Sequence, residues 1–180
     1  MSQSPFAFLK APQKAAAALL PSPDQLGRFV RDAWARLSGL PGGKSLFSSV
    51  IGLAAPYTGN IGAEVVELGR GHAKVVMKDR RALRNHLSSV HAVALVNLAE
   101  LTGNIALAYS MPDDARFIVA GISIDYHKKA RGTITGVCTC PVPETSARAE
   151  YLVPVELLDP SGTVVATATL KTLIGPVKGA

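Results

Sequence analysis

The sequence predicts an α+β fold in which an antiparallel sheet wraps one long buried helix. Three observations predict it. The stretch RNHLSSVHAVALVNLAELTGNIALAY, residues 84–109, is apolar on nearly every side, and a helix that is hydrophobic all round belongs inside a protein. The segments before and after it alternate with a period of two, the strand period. Two strand-like segments precede it and four follow, with no single helices interleaved. That order argues against a parallel βαβ sheet and for strands packed around one helix.

Residues 1–22 read as a weakly ordered lead-in, with Pro5, Pro12, Pro21 and Pro23 punctuating it and its border. Asp24 is a candidate cap for a helix running to Ser38, where Leu26, Phe29, Val30, Ala33, Trp34 and Leu37 recur at helical spacing. The LPGG run at 40–43 ends it. A second short helix covers Ser45–Leu53, and Pro56 closes it. Ile61, Ala63, Val65 and Val66 begin a first strand, Gly69-Arg70-Gly71 makes a hairpin turn, and Ala73–Met77 is the second strand. Within the central stretch, Ser88 or Ser89 is the expected helix cap, which places His91 and Ala92 in the first turn. After the turn at Met111–Asp114, the expected strands are Phe117–Tyr126, Thr133–Cys140, Ala149–Leu158 and Thr163–Leu173. In the first of these, Ile118, Ala120, Ile122 and Ile124 fall in one alternating row. Residues 1–57 are thus an N-terminal extension with two short helices, and residues 58–180 form the domain proper.

Composition narrows the function. A chain of 180 residues with 48% hydrophobic content can bury one sizeable core. The net charge of +6 admits an anionic partner. No run of Lys and Arg exceeds two residues and aromatics make up only 6%, which disfavours nucleic acid and leaves a phosphorylated ligand open. Cys138 and Cys140 alternate onto one strand face and lack a second pair at metal spacing, so they read as reduced packing thiols, consistent with a cytoplasmic protein. The central helix is long enough to raise the membrane question. The polar residues His91, Asn97, Glu100 and Asn104 along it argue for a buried helix instead.

Those polar residues carry the functional signal. A carboxylate inside an apolar setting is costly unless paired, and Glu100 is expected to be pushed toward its neutral form by desolvation. It is read either as a base or nucleophile, or as a structural carboxylate satisfied by backbone N–H groups or Asn97. A helix N-terminus supplies free N–H donors and the positive end of the dipole, the equipment of an oxyanion hole. His91 and Glu100 are nine residues apart, which puts them half a turn out of phase and about 13.5 Å apart along the axis. One helix therefore does not bring both to one site, whereas two antiparallel helices do. Asn85 either joins the site or holds the loop. Asn104 and Thr102 read as helix-interface polar groups, with Thr102 also a candidate substrate contact. Gly103 in the helix implies close packing or ligand approach.

The stretch from Thr58 to Ile174 resembles the hotdog-fold acyl-CoA thioesterases of the phenylacetate-pathway type, and among them a bacterial thioesterase-like branch. The signature of that family runs Asn, five residues, His-Gly-Gly, six residues, then Asp or Glu; here Asn85, His91 and Glu100 keep the spacing. ISIDYHKKARG and LLDPSGTVVATATLKTLI are similar to its later strands. The resemblance implies a hotdog fold with a six-stranded, largely antiparallel sheet. It implies hydrolysis of an acyl-CoA or related thioester, in a homo-oligomer (dimer or dimer of dimers), with coenzyme A as part of the substrate and no other cofactor. It implies a site of Glu100, Asn85, His91 and the Ala92 N–H, with Val93 beside it. The family glycines are Ala92 and Val93 here, and glycine lets a ligand approach backbone closely, so a non-catalytic acyl-CoA-binding module is the second reading. Lys128, Lys129, Arg131 and Arg84 are the candidate phosphate contacts, with the bidentate Arg131 ranked above the lysines.

Overall fold

The computed structural model describes residues 25–177. The lead-in and the Asp24 cap lie outside them. Two helices open the described chain, α1 (Leu26–Leu37) and α2 (Gly43–Ala54), followed by a single turn, α3 (Pro56–Gly59). Trp34 of α1 meets Phe47 of α2 edge to face at 5.1 Å, which locks the pair together. The hairpin β1 (Glu64–Gly69) and β2 (His72–Met77) follows, with Gly71 at φ 74° in its turn. The central helix α4 runs from Ala92 to Ser110. Strands β3 (Ala115–Tyr126), β4 (Ile134–Thr139), β5 (Ala149–Leu158) and β6 (Val164–Pro176) complete one six-stranded sheet. Its order is β1-β2-β4-β5-β6-β3, and every neighbouring pair is antiparallel. The helix lies across this sheet and buries 13 of its 19 residues against it and the extension. By length and composition it would also suffice to cross a membrane, but 67% of the apolar window is buried here.

Strand β3 corrects the single alternating row. A bulge between Val119 and Gly121 inserts Ala120 into the ladder with β6. An extra residue reverses the parity of everything after it. Phe117 and Val119 face the helix before the bulge, opposite buried Ile174 and Thr172, and Ile122 and Ile124 face it afterwards, opposite buried Leu170 and Ala168. Ile118, 66% exposed, points outward.

The two sheet edges differ. At the β1 edge, α2 occupies the unpaired backbone: Ser48 Oγ accepts from Val65 N–H at 2.8 Å, and Lys44 Nζ donates to the Val66 carbonyl at 2.6 Å. At the other edge, β3 pairs with β6 alone.

The extension also finishes the central helix. Its last carbonyls lack intrahelical partners and carry the negative end of the dipole. Arg31 of α1 donates to the carbonyls of Tyr109 at 3.0 Å and Met111 at 2.9 Å and pairs with Asp113. Gly27 allows the close crossing, since a Cβ there would sit 2.9 Å from the Ala108 carbonyl. Arg31→Met is expected to destabilise the protein by about 1–3 kcal/mol, read as a lowered midpoint in urea unfolding; an unchanged midpoint would show that the cap carries no weight.

Candidate functional site

The helix N-terminus is built by the loop from 85 to 91. Asn85 Oδ1 accepts from Leu87 N–H at 2.9 Å, Ser89 N–H at 3.3 Å and the Ser89 hydroxyl at 3.1 Å. Asn85 N–H in turn donates to the Ser89 carbonyl at 2.8 Å. Its side-chain oxygen is therefore fully engaged in shaping the loop, and Ser88 takes the left-handed φ of 54° that closes it. Neither Ser88 nor Ser89 caps the helix. The cap is His91, at φ −66° and ψ 139°, whose Nδ1 accepts from Val93 N–H at 3.1 Å. This bond fixes the tautomer with the proton on Nε2. It displaces the expected serine cap because Ser89 is already bonded to Asn85. Val90 N–H donates to the Ala130 carbonyl and His91 N–H to the Leu83 carbonyl, so the loop is pinned between its neighbours.

Ala92 is then the first helical residue. Its N–H makes no hydrogen bond among the described residues. Val93 N–H is taken by His91, and the Val93 side chain is 51% exposed. The Tyr126 hydroxyl, at the end of the inward row of β3, donates to the Ala92 carbonyl at 3.3 Å, and partial burial pushes its pKa up. Sequence reasoning passed over Tyr126 as a site residue, although the aromatic ending of its strand was visible.

Glu100 stands differently from the buried carboxylate that composition suggests. The α4 residues left uncovered or half-covered include Val93, Val96, Glu100 and Asn104. At about 100° per residue these fall on one narrow stripe of the helix. Glu100 makes neither a hydrogen bond nor an ion pair among the described residues, so the structural reading of a satisfied carboxylate finds no partner here. The Asn97 amide, its suggested partner, donates instead to the Tyr57 carbonyl of α3 at 3.2 Å. The free Ala92 N–H lies about 12 Å from Glu100 along the axis.

Thr102 leaves the candidate list. It is fully buried, its hydroxyl donates to the Leu98 carbonyl at 2.7 Å, and it packs where a Cβ on Gly136 would come within 2.4 Å. Two positions past Glu100 means roughly 200° around the helix, toward the sheet. Gly103 is likewise explained by packing: a Cβ would meet Leu170 at 2.9 Å. Arg84 is engaged as well. It forms a two-pronged ion pair with Asp79 at 2.9 and 3.0 Å, which holds the Asp79 carboxyl below the usual range. Lys128, Lys129 and Arg131 are exposed, and the Val90–Ala130 bond sets their turn beside the helix N-terminus. Cys138 and Cys140 are free and buried, and the Cys138 thiol is pushed up by its contact with Cys140 and by burial.

A separate cleft opens at the opposite, C-terminal end of α4, lined by Arg31, Arg70, Tyr109, Asp113 and Glu144. Its Arg31 and Asp113 are already paired with each other, and none of the free site groups reaches it.

One helix laid across a six-stranded antiparallel sheet is the hotdog fold, shared with the solved structures this chain resembles. Within it the chain belongs to the family described as a domain of unknown function, DUF4442, whose model matches residues 43–174. Among solved structures, the genomics protein APC5556 is 30% identical, with a TM-score of 0.73 covering 83% of this chain and 99% of its own. A Pseudomonas aeruginosa protein, PA5026, described as a probable thioesterase, is 24% identical, with a TM-score of 0.67 covering 77% of this chain and 97% of its own. The protein smu.793 from Streptococcus mutans, bound to acetyl-CoA, is 18% identical, with a TM-score of 0.54 covering 62% of this chain and 87% of its own. No curated protein matches the chain.

Proposed function

We propose that the protein hydrolyses an acyl-CoA or related thioester at a site completed by a second copy of the chain. The observation that carries this reading is the pairing of a free Ala92 N–H with a free Glu100 carboxylate on the uncovered side of one helix. The carboxylate takes a proton from water as the water oxygen attacks the thioester carbonyl. The N–H and the dipole behind it stabilise the oxyanion. Since the two groups stand about 12 Å apart along the axis, an antiparallel partner helix is needed to bring Ala92 of one copy to Glu100 of the other. The open β3 edge is where such a copy would pair, extending the sheet and covering the inward row of Phe117, Val119, Ile122 and Ile124. That row and Val93 and Val96 make an apolar bed for the acyl group. The likeness to a protein bound to acetyl-CoA supports a coenzyme A thioester as the substrate class.

The test is a panel of short, medium, long and aromatic acyl-CoAs with detection of free thiol, comparing the wild type with Glu100→Ala. Turnover that disappears in the variant supports the reading. Turnover that survives in it removes Glu100 from the chemistry. Lys128, Lys129 and Arg131 are expected to hold the coenzyme A phosphates. Neutralising Arg131 should raise KM several-fold at low salt, with the difference shrinking at high salt because the exposed pairing is screened; equal loss at both salt levels would point away from a phosphate contact.

One observation favours the second reading, a module that binds an acyl-CoA without cleaving it. The branched side chain of Val93 stands at the second helical position, 51% exposed, beside the Ala92 N–H that has no partner among the described residues. Saturable acyl-CoA binding with no thiol release across the panel would select that reading.

A further inference from the structure

Asn104 lies one turn beyond Glu100 on the same uncovered stripe. Its amide is divided. The Oδ1 atom is sealed from solvent and has no donor. The Nδ2 atom is neither sealed nor hydrogen-bonded among the described residues, so the NH2 edge is the side open to the stripe. Side chains four apart on a helix are surface neighbours, with Cβ atoms about 5–6 Å apart. The other side-chain donors near Glu100 are engaged elsewhere: Asn97 Nδ2 with the Tyr57 carbonyl, its Oδ1 being a buried acceptor, and the Thr102 hydroxyl with the Leu98 carbonyl. Val93 and Val96 offer no donor. A leucine at 104 would fill the same place without stranding a buried oxygen. The amide therefore costs stability in the isolated chain, and what it presents in return is an N–H donor beside a carboxylate that has none.

We propose that Asn104 is a positioning residue: in the assembled, substrate-loaded site its free Nδ2 turns to donate to the Glu100 carboxylate and holds it in the rotamer that takes the proton from the attacking water. This inference rests on the thioester-hydrolase reading. In the step it serves, the water oxygen bonds to the thioester carbonyl carbon and its proton passes to Glu100. The carbon–sulfur bond then breaks, the thiolate takes that proton, and a carboxylic acid and a free thiol leave. Nothing is oxidised or reduced. A charge-assisted N–H to carboxylate bond has the strength to select one rotamer, and a small misplacement of a reacting group costs up to roughly 100-fold in rate.

The experiment is a double-mutant cycle on the full chain, with kcat, KM and melting temperature measured for Asn104→Leu, Glu100→Gln and the pair. The expected result is a roughly 10- to 100-fold fall in kcat for Asn104→Leu, with KM little changed and the melting temperature unchanged or raised. In the Glu100→Gln background the same substitution should cause no further loss, because a residue acting through Glu100 has nothing left to hold. Asn104→Ala, which removes the donor without adding charge or bulk, should show the same fall in kcat and covers the case in which leucine disturbs folding. Unchanged kcat in both Asn104 variants, while Glu100→Gln keeps only a small residual rate, would overturn this inference and leave the hydrolase reading standing. Equal losses in both Glu100 backgrounds would overturn it too. A wild type that releases no thiol from any acyl-CoA would remove both together.

Discussion

Replacing Ala92 with proline should abolish most turnover while leaving the fold intact. Proline is the natural substitution to delete one N–H here. It is accepted at the first position of a helix, where its fixed φ suits the helix and the missing N–H breaks no intrahelical bond. It also needs an extended residue before it, and His91 already has φ −66° and ψ 139°. Ala92 N–H has no partner among the described residues, so the substitution costs no hydrogen bond of the fold. If that N–H faces the oxyanion, its loss should lower kcat by roughly 100- to 1,000-fold, with little change in melting temperature. Full activity in Ala92→Pro would mean that the carbonyl is polarised elsewhere.

The second large effect concerns Glu100 and the partner copy. Glu100→Gln keeps the shape of the side chain and removes the base. Alone, it should be as inactive as Ala92→Pro. Mixed and reassembled, the two inactive proteins should regain activity, because a hybrid dimer holds one site with both an intact N–H and an intact carboxylate. Random pairing of two copies gives about a quarter of the wild-type rate. A mixture that stays silent after verified subunit exchange would mean that each chain carries its own complete site, and the 12 Å separation would then have to be closed by a large rearrangement.

How much of this was legible beforehand depends on whether the cause was local. The change from a helical to a two-residue period lies in the sequence itself, and the six strands, the hairpin and the central helix follow from it. The spacing of Asn85, His91 and Glu100 is equally plain in the sequence, and it places two of the three at the helix N-terminus. The roles were harder. A serine is the more usual cap, and nothing in the order of residues says that Asn85 has already claimed Ser89, which leaves the capping to His91. Thr102 is two positions from Glu100 in the sequence, whereas on a helix the two face nearly opposite ways. The bulge at Ala120 was invisible to an alternation count, which assumes a constant phase. Arg31 reaches the end of α4 from 78 residues away, and no pattern within either segment announces it.

The unequal edges of the sheet bear on how copies of this chain accumulate. Strands left open at both ends of a sheet can add neighbours without limit, which is the route to fibrils. Here α2 seals the β1 side through Ser48 and Lys44, so only β3 remains for edge-to-edge addition. A molecule with a single open side that joined one like itself would then be spent, so growth by this route would be self-terminating at two. The extension helix at one end of the sheet would thereby act as a stopper on polymerisation, at the edge farthest from the strand where a second copy would add.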